Sequence, residues 1–169
     1  MTAAIMMAWK GDDLSNIDDR IAELGLVLPE SVPPAGSYLP AYQAGNLVFT
    51  SAVGPRTAEG TNITGLVPRD ISVEDAYQAS RRTGLRILTN LKSVIKDLGR
   101  VTHVVKVSGM VQATEDFNEY AKVVNGCSDL FVEIFGDAGK HARGVDGRNQ
   151  ESIRRSRFHR GDIRGASVG

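Results

Sequence analysis

Arg143 closes the run Gly-Lys-His-Ala-Arg (139–143). An arginine where a helix hands over to a strand can hold a carboxylate in a two-pronged fork that lysine cannot imitate. On residue type alone it also reads as a surface arginine opening a basic tail. Cys127 is the only cysteine, which excludes an intramolecular disulfide and a multi-cysteine zinc site. No histidine or other base can be placed beside it, so it reads as a small core residue rather than a nucleophile. The three histidines (103, 141, 159) have no metal-ligand spacing, and no metal or other cofactor is expected. Asn125 stands before Gly126 and reads locally as a helix cap, Ser51 as a strand serine with a satisfied hydroxyl, and Tyr38 as a packed loop aromatic.

These side chains need elements to carry them. Gly45-Asn46 breaks the stretch PPAGSYLPAYQAGNLVFTS (33–51) into a hairpin that feeds a half-buried strand, Leu47 to Ser51. Upstream, Ser15 can cap a short helix in which Ile17, Ile21 and Leu24 share a face and Gly25 supplies the end. Residues 28–37, with three prolines, read as a linker. The turn-rich TAEGTNITG connection leaves room for a second short strand around Ile63 to Val67. Ser72 then stands as N-cap to a helix of about 25 residues, with Glu74 and Asp75 in its first turn and Gly99 after its last periodic residue. Its stripe runs through Val73, Ala76, Tyr77, Leu88, Leu91, Ile95 and Leu98.

Val101 to Gln112 is rich in valine and reads as a buried strand, where Gly109 signals a bulge or a close backbone approach. Thr114 caps a second helix whose inner stripe is Phe117, Tyr120, Val124, Phe131 and Ile134, interrupted or ended at Gly126 or Gly136. The order β-β-α-β-α predicts an α+β layer with helices on one face of a mixed sheet.

The 169 residues suffice for one core, and no run of eighteen apolar residues predicts a membrane span. MTAAIMMAWKGDD has no basic n-region and no clear cleavage site, so residues 1–14 read as a soluble leader. A single cysteine fits a reducing, cytoplasmic setting. The even charge balance hides two compositions. Residues 1–143 carry a net −3, whereas 144–169 carry six arginines, no lysine and a net +3. The larger apolar residues of that tail are too scattered for a strand or a helical stripe. Arginine without lysine, with glycine and serine, is what an out-of-frame reading of a GC-rich gene gives. A frameshift or sequencing error at or just after codon 143 is therefore expected, with a genuine disordered basic extension as the alternative.

The wording of two segments goes further. Pro-Ala-Gly-Ser-Tyr followed by Gly-Asn-Leu-Val-Phe-Thr-Ser, and VVKVSGMVQATEDFNEYAKVVNGCSDLFVEIFGDAGKHAR (104–143), resemble the YjgF-like, endoribonuclease L-PSP family of enamine/imine deaminases. The match is to a branch with a longer N-terminus and a G-D-A-G-[KR]-H-A-R sequence, and it spans about Asp18 to Arg143. It implies a chorismate-mutase-like mixed sheet with two helices on one face, three subunits packing their sheets into a central barrel, and here a missing last strand. By the same resemblance Arg143 binds the substrate carboxylate. Tyr38 lines that cleft from a neighbouring subunit, and Ser51 and Asn125 match the family's T-S-G-Q serine and V-N asparagine. Ala52 and Val53 replace the glycine and glutamine of that motif. The family's cysteine shortly after the arginine and its terminal-strand glutamate have no counterpart, and Glu151 falls in unrelated sequence.

The activity so implied is cofactor-independent hydrolysis of a 2-imino or enamine acid to a keto acid and ammonia, impaired by loss of the strand and glutamate. A non-catalytic small-carboxylate binding module is the second expectation. The third, an RNA-acting protein whose RRSRFHR segment meets phosphates, is disfavoured by the acidic core and the lack of a nucleic-acid-binding motif.

Overall fold

The computed structural model describes residues 2–9 and 17–148. Eight main elements follow in order: β1 Thr2–Trp9, α1 Ile17–Glu23, β2 Ala41–Ala44, β3 Leu47–Thr50, α2 Val73–Ile95, β4 Val101–Gln112, α3 Tyr120–Phe135 and β5 Ala142–Arg148. They form a mixed five-stranded sheet, β2-β3-β1-β4-β5, with α2 and α3 packed together over one face. This is the α+β layer with helices on one side that the sequence predicts.

Local chemistry accounts for the elements read correctly. Gly45, at φ 62°, makes the two-residue turn that pairs Ala44 with Leu47 and Ala41 with Thr50. The amide of Asp75 donates to Ser72 Oγ (3.0 Å), which caps α2. Ile87, Leu88, Leu91 and Ile95 point from α2 into the core, where they meet Val104, Val107 and Val111 of β4 and Leu130 and Phe131 of α3. Helix α2 ends at Ile95 with Lys96 at φ 69°, not at Gly99, which falls in a following 3-10 turn, Leu98–Arg100. Gly109 marks a close approach: a Cβ there would stand 2.7 Å from Val124 Cγ2. The two irregularities in β4 lie elsewhere, opposite Met6 and Met7, whose partners are Lys106 and Val104, and opposite Ala8 and Trp9, whose partners are His103 and Val101.

Three further expectations change. Residues 2–9, read as a leader, form β1 in the middle of the sheet, antiparallel to β3 on one side and β4 on the other. The segment around Ile63 to Val67 is no strand and makes only isolated bridges, Arg56 with Asn62 and Val67 with Ala113. Thr114 does not start α3, because its amide donates to Val67 O (2.9 Å) and that of Ala113 to Arg148 O (3.0 Å). The backbone there extends the sheet, and the helix begins six residues later, running unbroken through Gly126 to Gly136.

The strand reported missing is present in part. β5 runs parallel to β4, pairing Val107 with Arg143 through Gln112 with Arg148, so the sheet continues past Arg143, where the sequence resemblance ends. Among the described residues β5 is an edge strand with one neighbour, and its sequence Ala-Arg-Gly-Val-Asp-Gly-Arg shows no alternating apolar pattern that would have betrayed it. Ser15 and the tail from Asn149 onward, including Glu151 and the expected frame change or disorder, lie outside the described residues.

Candidate functional site

Arg143 lies in β5 opposite Val107, a fully buried residue of β4, and paired residues of a parallel ladder project to the same side. Its side chain therefore leaves the sheet toward α3. Two glycines of GDAGKHAR (136–143) set this up. Gly136, at φ 59°, ends α3, and a Cβ on Gly139 would stand 2.2 Å from the carbonyl oxygen of Phe131, so only glycine lets the chain turn back so close to the helix.

Nη1 of Arg143 donates to Asn125 Oδ1 (2.6 Å) and to Ser128 Oγ (3.2 Å). Asn125 and Ser128 are one helical turn apart on α3 and so share a face. Ser128 Oγ also lies 3.0 Å from His141 Nε2, while His141 Nδ1 lies 2.6 Å from the carbonyl oxygen of Gly139. A carbonyl only accepts, so Nδ1 carries the ring proton, Nε2 accepts from the Ser128 hydroxyl, and that oxygen accepts from Arg143. The imidazole stands edge-on to Phe131, with ring centres 6.3 Å apart. Burial depresses the His141 pKa, as do the charges of Arg143 and His103, against the opposing bond to Gly139. The neutral tautomer is thus the stable one.

Both bonds from Arg143 use Nη1, so the Nε and Nη2 edge of the guanidinium is unengaged by described residues, and no described carboxylate lies within ion-pair distance. That edge is the one with the geometry for a bidentate carboxylate. Of the residues singled out in sequence, the structure brings Arg143 and Asn125 together. Ser128 and His141 were not assigned, although Ser128 sits at the i+3 position from Asn125.

Tyr38 and Ser51 lie elsewhere. Ser51 Oγ donates to Leu39 O (2.5 Å) and its amide to Pro40 O (2.9 Å), which pins the loop carrying Tyr38 to the end of β3. The Tyr38 ring is about half exposed, and its hydroxyl accepts from the Ala35 amide (3.4 Å). β1 and β4 separate β3 from β5, so within one chain this corner and Arg143 are about three strand spacings, roughly 14 Å, apart. Cys127 is fully buried, and burial pushes its thiol up to about 12, which removes it as a nucleophile at neutral pH. A cavity of about 530 Å³ between the 54–71 connection, α2 and the end of β4 includes Arg148 but not Arg143. Among the described residues no cluster of three metal-ligating side chains occurs, and no helix is long and apolar enough to cross a membrane.

A family model described as "YjgF/chorismate_mutase-like, putative endoribonuclease" matches residues 18–150. The chain belongs to the YjgF-like family. The matched region extends seven residues beyond Arg143 and takes in all of β5. Protein TCP17 of Trypanosoma cruzi is 32% identical over 125 residues, 73% of this chain and 78% of that protein. Two solved structures share the fold. A Shewanella oneidensis protein, described as a "putative endoribonuclease", superposes with a TM-score of 0.75 at 30% identity, covering 79% of this chain and 89% of the other. Atu1372 of Agrobacterium tumefaciens, described as of unknown function, gives 0.71 at 34% identity, covering 78% and 81%. The chorismate-mutase-like sheet expected from the resemblance is therefore the fold of this YjgF-like chain.

Proposed function

We propose that this YjgF-like protein binds a small 2-imino or enamine carboxylic acid through Arg143 and hydrolyses it without a cofactor. The observation that carries this reading is the oriented guanidinium of Arg143, tied down on one nitrogen by Asn125 and Ser128 and open on the edge that fits a carboxylate. An enamine first tautomerises to the imine. Water then adds to the C=N carbon, and the carbinolamine expels ammonia to leave the 2-keto acid. Expulsion needs a proton on the departing nitrogen. In this reading the proton that the attacking water gives up passes through the Ser128 hydroxyl to Nε2 of neutral His141 and is returned by the same route to the departing nitrogen, beside the anchoring arginine.

The second half of the site comes from another copy in this reading. Tyr38 and Arg143 sit at opposite edges of one sheet, so edge-to-edge association of copies is what would face them across a cleft. The open face of the sheet supports association too, because Tyr42 and Phe49, directly paired on β2 and β3, are 61% and 44% exposed. A homotrimer in the cytoplasm is the proposed state.

The test is ammonia and keto-acid release from a 2-imino acid generated in situ by an amino-acid oxidase. Release should exceed the buffer rate with the wild-type chain and fall at least about tenfold with Arg143→Gln, and Arg143→Lys should not restore it. Sedimentation should give three copies. A binding-only protein is the second reading, because an oriented guanidinium open on one edge serves carboxylate binding as well as it serves hydrolysis. It predicts Arg143-dependent carboxylate binding with release no faster than buffer.

A further inference from the structure

A second pocket lies away from Arg143, between the 27–32 segment, the 56–60 turn and the outer face of α2, and encloses about 510 Å³. Arg82, Leu85 and Arg86 line it from successive turns of α2, and Arg56 faces them from the loop after β3. The 27–32 segment is held in place by Thr89, whose hydroxyl donates to Pro29 O (2.9 Å).

The three arginines make few direct bonds, although the Glu59 carboxyl is held below its ordinary range by its bonds to Thr57 and to its own backbone and then by the charge of Arg82. Arg86 donates from Nη1 to Gly54 O, and Arg56 from Nε to Asn62 Oδ1 (3.0 Å). None of the three forms an ion pair with a described carboxylate. Arg86 is partly buried and destabilised as a cation, first by desolvation and then by the charge of Arg56. Two guanidiniums that burden one another, neither of them ion-paired to a described carboxylate, are relieved by an anion. Beside them Val27 and Val32 are 80% and 41% exposed, an apolar lip with nothing covering it among the described residues. Glu30 and Glu59 also border the pocket, so its formal charge is +1. That balance favours a monoanion over a phosphate dianion, which the two carboxylates would repel.

We propose that this pocket is a second ligand site, taking a small monocarboxylate with an aromatic or branched apolar body. The carboxylate lies between Arg56 and Arg86, and the body covers Val27, Val32 and Leu85. The volume is within the range usual for small-molecule sites, about 300 to 1,000 Å³. This site is separate from the Arg143 anchor and does not depend on the hydrolytic reading.

Phenylacetate is a suitable probe, titrated by calorimetry into the full chain carrying Arg143→Gln, so that the first anchor is already gone. Saturable binding is expected to persist, to weaken at least about tenfold on adding Arg56→Gln, and to weaken about fivefold on adding Val27→Asp at its exposed position. Inorganic phosphate should bind more weakly than phenylacetate. Loss of all phenylacetate binding in the Arg143→Gln chain overturns the proposal, as does unchanged affinity in a folded Arg56→Gln, Arg143→Gln chain or tighter binding of phosphate. Melting temperatures of each variant establish that it is folded.

Discussion

Nη1 of Arg143 donates a 2.6 Å hydrogen bond to Oδ1 of Asn125, tying the edge strand β5 to α3. Asn125→Ala removes the acceptor and frees the guanidinium to rotate away from its docking direction. Carboxylate affinity should fall by about 1 kcal/mol, roughly fivefold in Kd. Asn125→Asp should weaken it further, because the new carboxylate pairs with the arginine and competes with the ligand. Calorimetric titration of both variants checks this, and equal affinity in wild type and Asn125→Asp would show that ligand does not reach Arg143.

His141 makes the site sensitive to acid. Its folded pKa lies below the ordinary 6.5, so the unfolded chain takes up the proton first as pH falls. The stability it contributes is present above 6.5 and is lost as pH drops through the folded value. Protonation also removes the Nε2 acceptor from Ser128 and puts a second cation beside Arg143. Melting temperature should therefore fall between pH 7.5 and about pH 5 more steeply in wild type than in His141→Gln. Parallel curves for the two chains would remove His141 from the linkage.

What sequence made legible was local. Ser72 as a cap, the Gly45-Asn46 turn and the valines of β4 each act through neighbours in the chain, and each stands where it was expected. Asn125 and Arg143 were named through the family wording. Thr114 shows the limit: it has good capping chemistry, but a backbone bond to Val67, 47 positions away, outweighs it. The Arg-Gly-Val-Asp-Gly stretch of β5 gains its order from β4, a partner that local periodicity does not report. Ser128 and His141 were missed for the same reason, since their meeting depends on the turn at Gly136 to Gly139 folding back onto α3. The i, i+3 spacing of Asn125 and Ser128 was the one available signal.

Gly126 controls how closely the two helices cross. A Cβ at that position would stand 2.0 Å from the carbonyl oxygen of Tyr77 and 3.1 Å from the amide nitrogen of Arg81, both main-chain atoms of α2. Gly126→Ala must push the helices apart, and with them the Arg81–Glu133 ion pair and the Tyr77 hydroxyl bond to Asp129. We expect a loss of about 3 kcal/mol, at the upper end for overpacking. Gly144→Ala is the control: its Cβ would meet only Ser108 Oγ at 3.9 Å, and its stability should stay within about 0.5 kcal/mol of wild type. Urea unfolding of both variants measures the difference.

The position of β1 separates a structural strand from a dispensable leader. Met7 is 1% exposed and pairs with Val48 on one side and Val104 on the other, both completely buried. Deleting residues 2–9 would part the β2-β3 hairpin from β4 and β5 and leave two unpaired strand edges beside an uncovered core. The shortened chain should lose cooperative unfolding and aggregate, as light scattering and circular dichroism would register. A leader would behave oppositely, leaving the melting temperature and solubility unchanged on removal. That result would mean that the β3 and β4 edges close on each other or on another copy without β1.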